Sequence, residues 1–256
     1  MRRFSLVCVA MVSLGSVAQA NMFKPSFKQQ LDLGQRAAVD VRKQEKIVDE
    51  KDWRVQRMRK VAETLIAKIP AEEFKKKPYK FSFDLIDKKE INAFALPGGP
   101  IFFYTGLFDK FKTEDELAAV LGHEMAHVRE EHWANGYGKR QERELGIAAI
   151  LILTRANRTM VDVASISNDL VFNLPYSRND ENRADRGGFN LMIDAGYNPE
   201  GMFKLFDILA EASKGGPPEM LRTHPEDKNR KKNTQKWIDE AKSKGRQFPP
   251  SRAMVK

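Results

Sequence analysis

The stretch His123-Glu124-Met125-Ala126-His127 reads H-E-x-x-H. Residues four apart lie on one face of a helix, so His123 and His127 can reach the same metal ion. The carboxylate of Glu124 lies beside them, where it can accept a proton from a water molecule at the metal. Two imidazole ligands, a base and one open coordination position form the core of a zinc hydrolase site. The motif therefore predicts a helix that carries a catalytic zinc ion.

The residues around the motif predict that this helix is buried. Thr113 and Glu116 have the T-x-x-E spacing of a capping box, which marks a helix start. Apolar residues then recur at helical spacing, at Leu117, Val120, Leu121 and Val128. Burying two histidines and a glutamate is costly unless a metal ion or polar partners compensate them. A surface helix that carries these residues by chance is the weaker interpretation.

A third ligand has to come from another part of the chain. A metzincin would carry a glycine and a third histidine where this chain has Glu130 and Trp133. A cysteine ligand is excluded, because Cys8 is the only cysteine and lies in a segment that we expect to be removed. Glu181 can complete a His₂Glu site, and Asp185, one helical turn later, can accept a hydrogen bond from a ligand histidine. The alternative is a solvated helix face on which both carboxylates pair with arginines.

Five spaced motifs resemble those of one peptidase family. They are NAFALPGG at 92–99, DELAAVLGHE at 115–124, LPYSR at 174–178 with the acidic pair that follows, AGYNP at 195–199 and THP at 223–225. Over about residues 28–240 the chain is similar to the gluzincin metallopeptidase family of the CAAX prenyl endopeptidases and the Oma-type, HtpX and BepA proteases. No internal repeat is visible, so we expect no helical-repeat extension of the kind that some relatives carry.

The resemblance implies a fold and a site. The fold is a zincin-like α+β domain, mainly helical, with a small antiparallel sheet. One Zn²⁺ ion per chain would be held by His123, His127 and Glu181. The resemblance also implies that His224 donates to the oxyanion or binds zinc reversibly. A substrate-binding edge strand is implied at Asn92, Ala93, Phe94 and Ala95.

Two further histidines differ in what the sequence predicts for them. His132 lies nine residues after His123, about half a helical turn out of phase. We interpret it as a structural residue that faces away from the metal. His224 precedes Pro225 in a proline-rich turn, and the alternative to a site role is a loop histidine that is bonded to water.

The N-terminal residues predict export. A basic start at residues 1–3, a mostly apolar run at 4–17 and A-Q-A at 18–20 form the pattern of a signal peptide cleaved after Ala20. The apolar run is short for a membrane span, and Cys8 has a poor context for lipidation. We expect a periplasmic protein without a transmembrane span, and peripheral association with the envelope stays open. Cleavage lowers the formal net charge from +9 to about +7; the basic residues are dispersed, so we predict no binding to nucleic acid.

The rest of the chain predicts one metallopeptidase domain, residues 21–245, followed by a flexible tail, residues 246–256. Periodicity predicts a long helix over 28–69, a strand over 79–85, a hairpin of 90–96 with 101–104, a core helix or flap over 145–153, and helices near 178–195, 199–213 and 226–243. The predicted function is endopeptidase cleavage of unfolded or misassembled cell-envelope proteins. The alternative is a metal-binding chaperone or adaptor that grips unfolded chains, but binding alone would not need Glu124 as a base.

Overall fold

The computed structural model describes residues 23–153, 175–225 and 229–254. The predicted signal peptide and its cleavage site lie outside these ranges. The helices and strands are α1 (Phe27–Gln44), α2 (Trp53–Ile66), α3 (Ala71–Lys76), β1 (Ser82–Ile86), β2 (Ala93–Ala95), β3 (Pro100–Tyr104), α4 (Thr105–Phe108), α5 (Glu114–Arg129), α6 (His132–Leu153), α7 (Arg178–Asp194), α8 (Gly201–Ala212), α9 (Met220–Thr223) and α10 (Asn229–Ser243). This mainly helical α+β arrangement is the fold class that the sequence predicts. The predicted helix over 145–153 forms the end of α6, and its side chains lie outside the described part.

The N-terminal helical region consists of two helices rather than one. The sequence predicts a single helix over 28–69, but the structure divides it into α1 and α2. Between them, Ile47 forms an isolated β-bridge with Ile86, the last residue of β1. The carboxylate of Asp52 then accepts a hydrogen bond from the backbone and starts α2 as its N-cap. The single-helix prediction is wrong because the β-branched residue between the helices pairs with the sheet.

The sheet has three strands in the order β1-β3-β2. β2 and β3 form the predicted antiparallel hairpin, which turns at Gly98 and Gly99 with φ angles of 77° and 142° that favour glycine. β1 and β3 are parallel, so the sheet is mixed where the sequence predicts a small antiparallel sheet. The alternation of polar and apolar residues along a strand does not determine which other strand it pairs with. Here β3 is the central strand, with the short β2 on one side and β1 on the other.

α5 carries the H-E-x-x-H motif through the core and packs against α7. The Thr113 hydroxyl accepts from the Glu116 amide at 3.2 Å and caps the helix as predicted, but the Glu116 carboxylate accepts from the Lys112 amide rather than from that of Thr113. All residues of Asp115–Val128 are buried. The two helices approach closely where Gly122 faces Gly188, because a Cβ on Gly188 would lie only 2.9 Å from backbone atoms of α5. This contact places the first turn of α7 beside the motif.

The C-terminal segment is attached to the start of α5. The carboxylate of Asp115, which is fully buried, accepts from the Ser251 hydroxyl at 2.6 Å and from the Arg252 amide at 2.9 Å. The sequence predicts a flexible tail over 246–256, but the structure places the described residues of this segment against α5. The physical reason is that a buried carboxylate requires hydrogen-bond donors, and this segment supplies them.

Two apolar clusters support the site from opposite faces of the sheet. The larger cluster joins α2, α5, α7 and α8 with one face of the sheet, and the smaller one joins α1 with the other face. Across the described ranges, no helix combines the length and the apolar character that crossing a membrane requires.

Candidate metal centre

Two histidines on α5 face each other across one helical turn. Nε2 of His123 lies 3.0 Å from Nε2 of His127, and both side chains are buried. The spacing of four residues therefore brings both ring nitrogens to one point, as the sequence predicts. Burial lowers the pKa of His127 well below its ordinary value. The imidazole is therefore neutral, which is the form that binds a metal ion.

Glu181 reaches the same point from the first turn of α7. Its Oε1 lies 3.3 Å from Nε2 of His127, and its Oε2 lies 3.5 Å from Nε2 of His123. The Ser177 hydroxyl caps this helix and fixes where its first turn begins. Burial pushes the pKa of Glu181 upward, but His224 and the hydrogen bond from His127 outweigh burial and hold the pKa well below its ordinary value. The carboxylate is therefore ionised, as a metal ligand must be.

His224 joins the cluster from the end of α9, although it lies 101 residues from His123 in sequence. Its Nδ1 is 3.1 Å from Oε1 of Glu181 and 3.3 Å from Nε2 of His123. Burial pushes the pKa of His224 downward, but the carboxylates of Glu181 and Glu124 outweigh it and raise the pKa. The possible ligand atoms of the four residues all lie within 4.8 Å of one another, and they belong to His123, His127, Glu181 and His224.

Glu124 borders this cluster with unused hydrogen-bonding capacity. Its side chain is fully buried, and neither carboxylate oxygen has a hydrogen-bond partner among the described residues. Buried carboxylates are normally paired, so a bound water, substrate or metal ion is expected to supply the missing partner. The nearby set of two imidazoles and one carboxylate is the ligand set of many zinc hydrolases. By its donor atoms and by this unpaired carboxylate, the cluster fits a metal ion.

A buried ion pair lies behind His123. Oδ1 of Asp185 accepts from Nδ1 of His123 at 2.9 Å, which leaves Nε2 of the ring facing the cluster. Arg230 donates two hydrogen bonds to Asp185, at 2.6 and 2.7 Å, and its Nη1 lies 3.0 Å from Oε2 of Glu181. Burial pushes the pKa of Asp185 upward, but the guanidinium outweighs it and holds the pKa below its ordinary value. Asp185 is therefore an ionised acceptor that orients a candidate ligand.

A cleft of about 240 Å³ borders both the cluster and β2, which lies at one edge of the sheet. The backbone of Asn92 and Leu96 bonds to β3. Because antiparallel pairing alternates, the backbone groups of Ala93 and Ala95 point away from β3 toward the open edge. The strand that the sequence predicts to bind substrate therefore lies beside the cluster. The wall of the cleft includes Asn92, Phe94, Ala95 and His224.

Residues 52–238 match the model of peptidase family M48. This range contains the α5 motif, the acidic residues of α7, the His224 turn and the edge strand. The chain belongs to this family. The predicted family is thereby confirmed, together with its zincin-like fold and its enzyme class, the metallopeptidases. Members of the M48 family use a metal ion, in agreement with the donor set of the cluster.

Named relatives match this chain over more than half of its length. It is 33% identical over 155 residues to the beta-barrel assembly-enhancing protease of Yersinia pestis, and 34% identical over 148 residues to the mitochondrial metalloendopeptidase OMA1 of Arabidopsis thaliana. It is 32% identical over 171 residues to OMA1 of Schizosaccharomyces pombe. The matches cover 57%, 58% and 64% of this chain and 32%, 30% and 49% of those relatives, respectively. The chain therefore spans less than half the length of each of these relatives.

His132 of this M48 chain lies where the sequence does not predict it. We expected it to face away from the metal, but its Nδ1 is 2.9 Å from Nδ1 of His127. The predicted orientation is wrong because it extends the phase of α5 through His132, whereas α5 ends at Arg129 and Glu131 adopts a φ angle of 53°. Burial lowers the pKa of His132 to about 4, so the ring is neutral near pH 7.

The sequence assigns no role to two other residues at the site of the M48 domain, Arg230 and Tyr176, although Tyr176 lies within the LPYSR motif. Arg230 pairs with Asp185 from α10, and no spacing rule connects residues on separate helices. The Tyr176 ring stacks on His127 with centroids 3.9 Å apart, and its amide donates to the Thr223 carbonyl at 3.0 Å. Tyr176 therefore connects the segment before α7 to the turn that carries His224.

Proposed function

We propose that this chain is a zinc-dependent endopeptidase that hydrolyses peptide bonds of unfolded or misassembled cell-envelope proteins. The observation that carries the proposal is the buried cluster in which His123, His127 and Glu181 converge next to Glu124. Family membership supports the hydrolase class. The choice of zinc, the substrate and the compartment are parts of the proposal.

His123, His127 and Glu181 would hold the zinc ion, through the two Nε2 atoms and the carboxylate. When bound, zinc supplies a Lewis acid, which makes water more acidic and polarises a carbonyl group. The ionised state of Glu181 and the neutral state of His127 support this assignment, because both are the protonation states that a ligand needs.

Glu124 would act as the general base and then as the acid. Its carboxylate accepts a proton from the water whose oxygen attacks the peptide carbonyl carbon, and passes that proton to the departing amine. Its two oxygens, which have no hydrogen-bond partner in the described ranges, are available for this transfer. A chaperone or adaptor that only grips its substrate would have no use for a buried base at this position.

His224 would stabilise the negative charge that develops on the carbonyl oxygen. The pKa of this imidazole is raised by Glu181 and Glu124, against the effect of burial, and a protonated ring donates a strong hydrogen bond. Without substrate, the same ring could instead bind zinc and keep the enzyme inactive. The two roles predict opposite effects of its removal.

The open edge of β2 would bind the substrate. An extended peptide that adds to Ala93–Ala95 forms backbone hydrogen bonds and needs little side-chain identity, which suits unfolded chains. The name of the Yersinia pestis relative, a beta-barrel assembly-enhancing protease, supports a substrate in the cell envelope. The proposed periplasmic location rests on the signal peptide at residues 1–20. An intact mass that begins at Asn21, without lipid, would support it.

The proposal is tested by incubating the mature protein with casein, with and without a zinc chelator. We expect cleavage that the chelator abolishes and added zinc restores. Zinc-loaded protein that binds casein without cutting it would overturn the endopeptidase proposal in favour of a chaperone or adaptor. Cleavage that survives complete removal of the metal would exclude the mechanism.

A further inference from the structure

The Nδ1 atoms of the two α5 histidines, which face away from the cluster, have different hydrogen-bond partners. Nδ1 of His123 donates to the carboxylate of Asp185. Nδ1 of His127 instead lies 2.9 Å from Nδ1 of His132, a second imidazole that is only 1% exposed. A ring whose far nitrogen is hydrogen-bonded has a fixed orientation, so each histidine has its own orienting partner.

The position of His132 results from a helix break at Glu131. The φ angle of Glu131 is 53°, in the left-handed region that residues other than glycine rarely adopt. Its carboxylate is held by Lys77, whose Nζ lies 2.6 Å from Oε1, and by Gln30, which donates to Oε2 at 2.7 Å. These contacts stabilise the break between α5 and α6, and the break turns His132 back toward His127.

The proton positions of this pair follow from the chemistry of imidazole. A neutral ring carries one N–H, so if Nε2 of His127 binds the metal, its Nδ1 carries the proton. Nδ1 of His132 must then accept that hydrogen bond, and its own proton is on Nε2. That Nε2 lies 3.8 Å from Oδ1 of Asp180, so the carboxylate favours a proton on this side of the ring.

We propose that His132 is a positioning residue, which holds the His127 ring with Nε2 toward the metal by accepting a hydrogen bond at its own Nδ1. The proposal rests on the metal-ligand role proposed for His127. His132 does not touch the metal or the substrate; it acts through His127. Because a neutral imidazole is a weaker acceptor than a carboxylate, its removal costs less metal affinity than removal of Asp185.

Two variants of similar polarity distinguish a positioning role of His132 from a role in packing alone. In His132→Asn, the amide oxygen can take the place of Nδ1, whereas in His132→Gln the acceptor is displaced toward the place of Nε2. We expect zinc affinity, measured by chelator competition, to fall about 10-fold in His132→Gln and to stay close to that of the parent in His132→Asn. Parent affinity in both variants, or an equal loss in both, would overturn the proposal.

A second measurement uses the unmutated protein and does not depend on how the variants fold. The chain has four histidines, so its ¹⁵N-histidine NMR spectrum is simple. In the zinc-loaded protein we expect a scalar coupling across the hydrogen bond between Nδ1 of His127 and Nδ1 of His132. A His132 ring with its proton on Nδ1 would overturn the proposal. Neither measurement involves peptide cleavage, so a protein that binds zinc but leaves casein intact would contradict the proposed function alone.

Discussion

At the scale of single residues, the charge of Asp185 determines how firmly His123 is oriented. Asp185→Asn keeps an oxygen near Nδ1 of His123 but removes the charge of one of the two carboxylates that pair with the buried Arg230, the other being Glu181. We predict that zinc affinity falls by about 10- to 100-fold, measured by competition with a chelator. Asp194→Asn is the matched control, because that carboxylate lies on the same helix and is half exposed. Parent affinity in Asp185→Asn would show that the residue does not orient the ligand.

His224 is the residue whose removal separates two roles. In the proposed mechanism it donates to the developing oxyanion, and the loss of one such donor typically lowers turnover by about 100-fold. We therefore predict that His224→Ala retains zinc, because His123, His127 and Glu181 remain, and cleaves casein about 100-fold more slowly. A rise in basal cleavage would contradict the donor role and would identify His224 as an inhibitory zinc ligand.

At the scale of helices and strands, the sequence predicts what is local and misses what depends on neighbours. The H-E-x-x-H spacing predicts the face of α5 correctly, because four residues make one helical turn. His132 is predicted incorrectly, because the conformation of Glu131 depends on Lys77 and Gln30, which come from other parts of the chain. The parallel pairing of β1 with β3 is missed for a similar reason, since side-chain alternation fixes the faces of a strand and not its neighbour.

The contact between α5 and α7 predicts a stability effect. In Gly188→Ala, the new methyl group would lie 2.9 Å from backbone atoms of Gly122 and His123, and backbone can give way only if the two helices move apart. We predict that the free energy of unfolding falls by about 1–3 kcal/mol, measured by urea denaturation of the metal-free protein. Asn190→Ala, at an exposed position of α7, is the control and should be close to neutral. Unchanged stability in Gly188→Ala would show that the helices are not closely packed there.

At the scale of the whole molecule, the C-terminal segment links the end of the chain to the active-site helix. Beside the hydrogen bonds to Asp115, Thr113 forms a β-bridge with Ala253, and the Glu114 amide donates to the Arg252 carbonyl at 2.8 Å. The sequence does not predict this attachment, because polar residues with Pro249 and Pro250 are also typical of a loose tail. Two of the donors to this buried carboxylate, Ser251 and Arg252, lie 136 and 137 positions from Asp115 in the sequence.

Removal of this segment is predicted to destabilise the fold. A chain that ends at Phe248 loses the Ser251 and Arg252 donors and leaves the Asp115 carboxylate buried with fewer partners. We predict a loss of about 1–3 kcal/mol in the free energy of unfolding, the cost of an unsatisfied buried acceptor. A chain that ends at Met254 keeps these bonds and is the matched control. Equal stability of the two truncated proteins would show that the segment does not support α5.

The central claim is that a buried metal site with Glu124 as its base hydrolyses peptide bonds. Glu124→Gln tests it most directly, because the change removes the proton acceptor and leaves His123, His127 and Glu181 in place. The measurement is casein cleavage by Glu124→Gln and by the parent protein, each with its zinc content determined by elemental analysis. We predict the same zinc content in both proteins and loss of cleavage in the variant. Cleavage at the parent rate by zinc-loaded Glu124→Gln would contradict the claim.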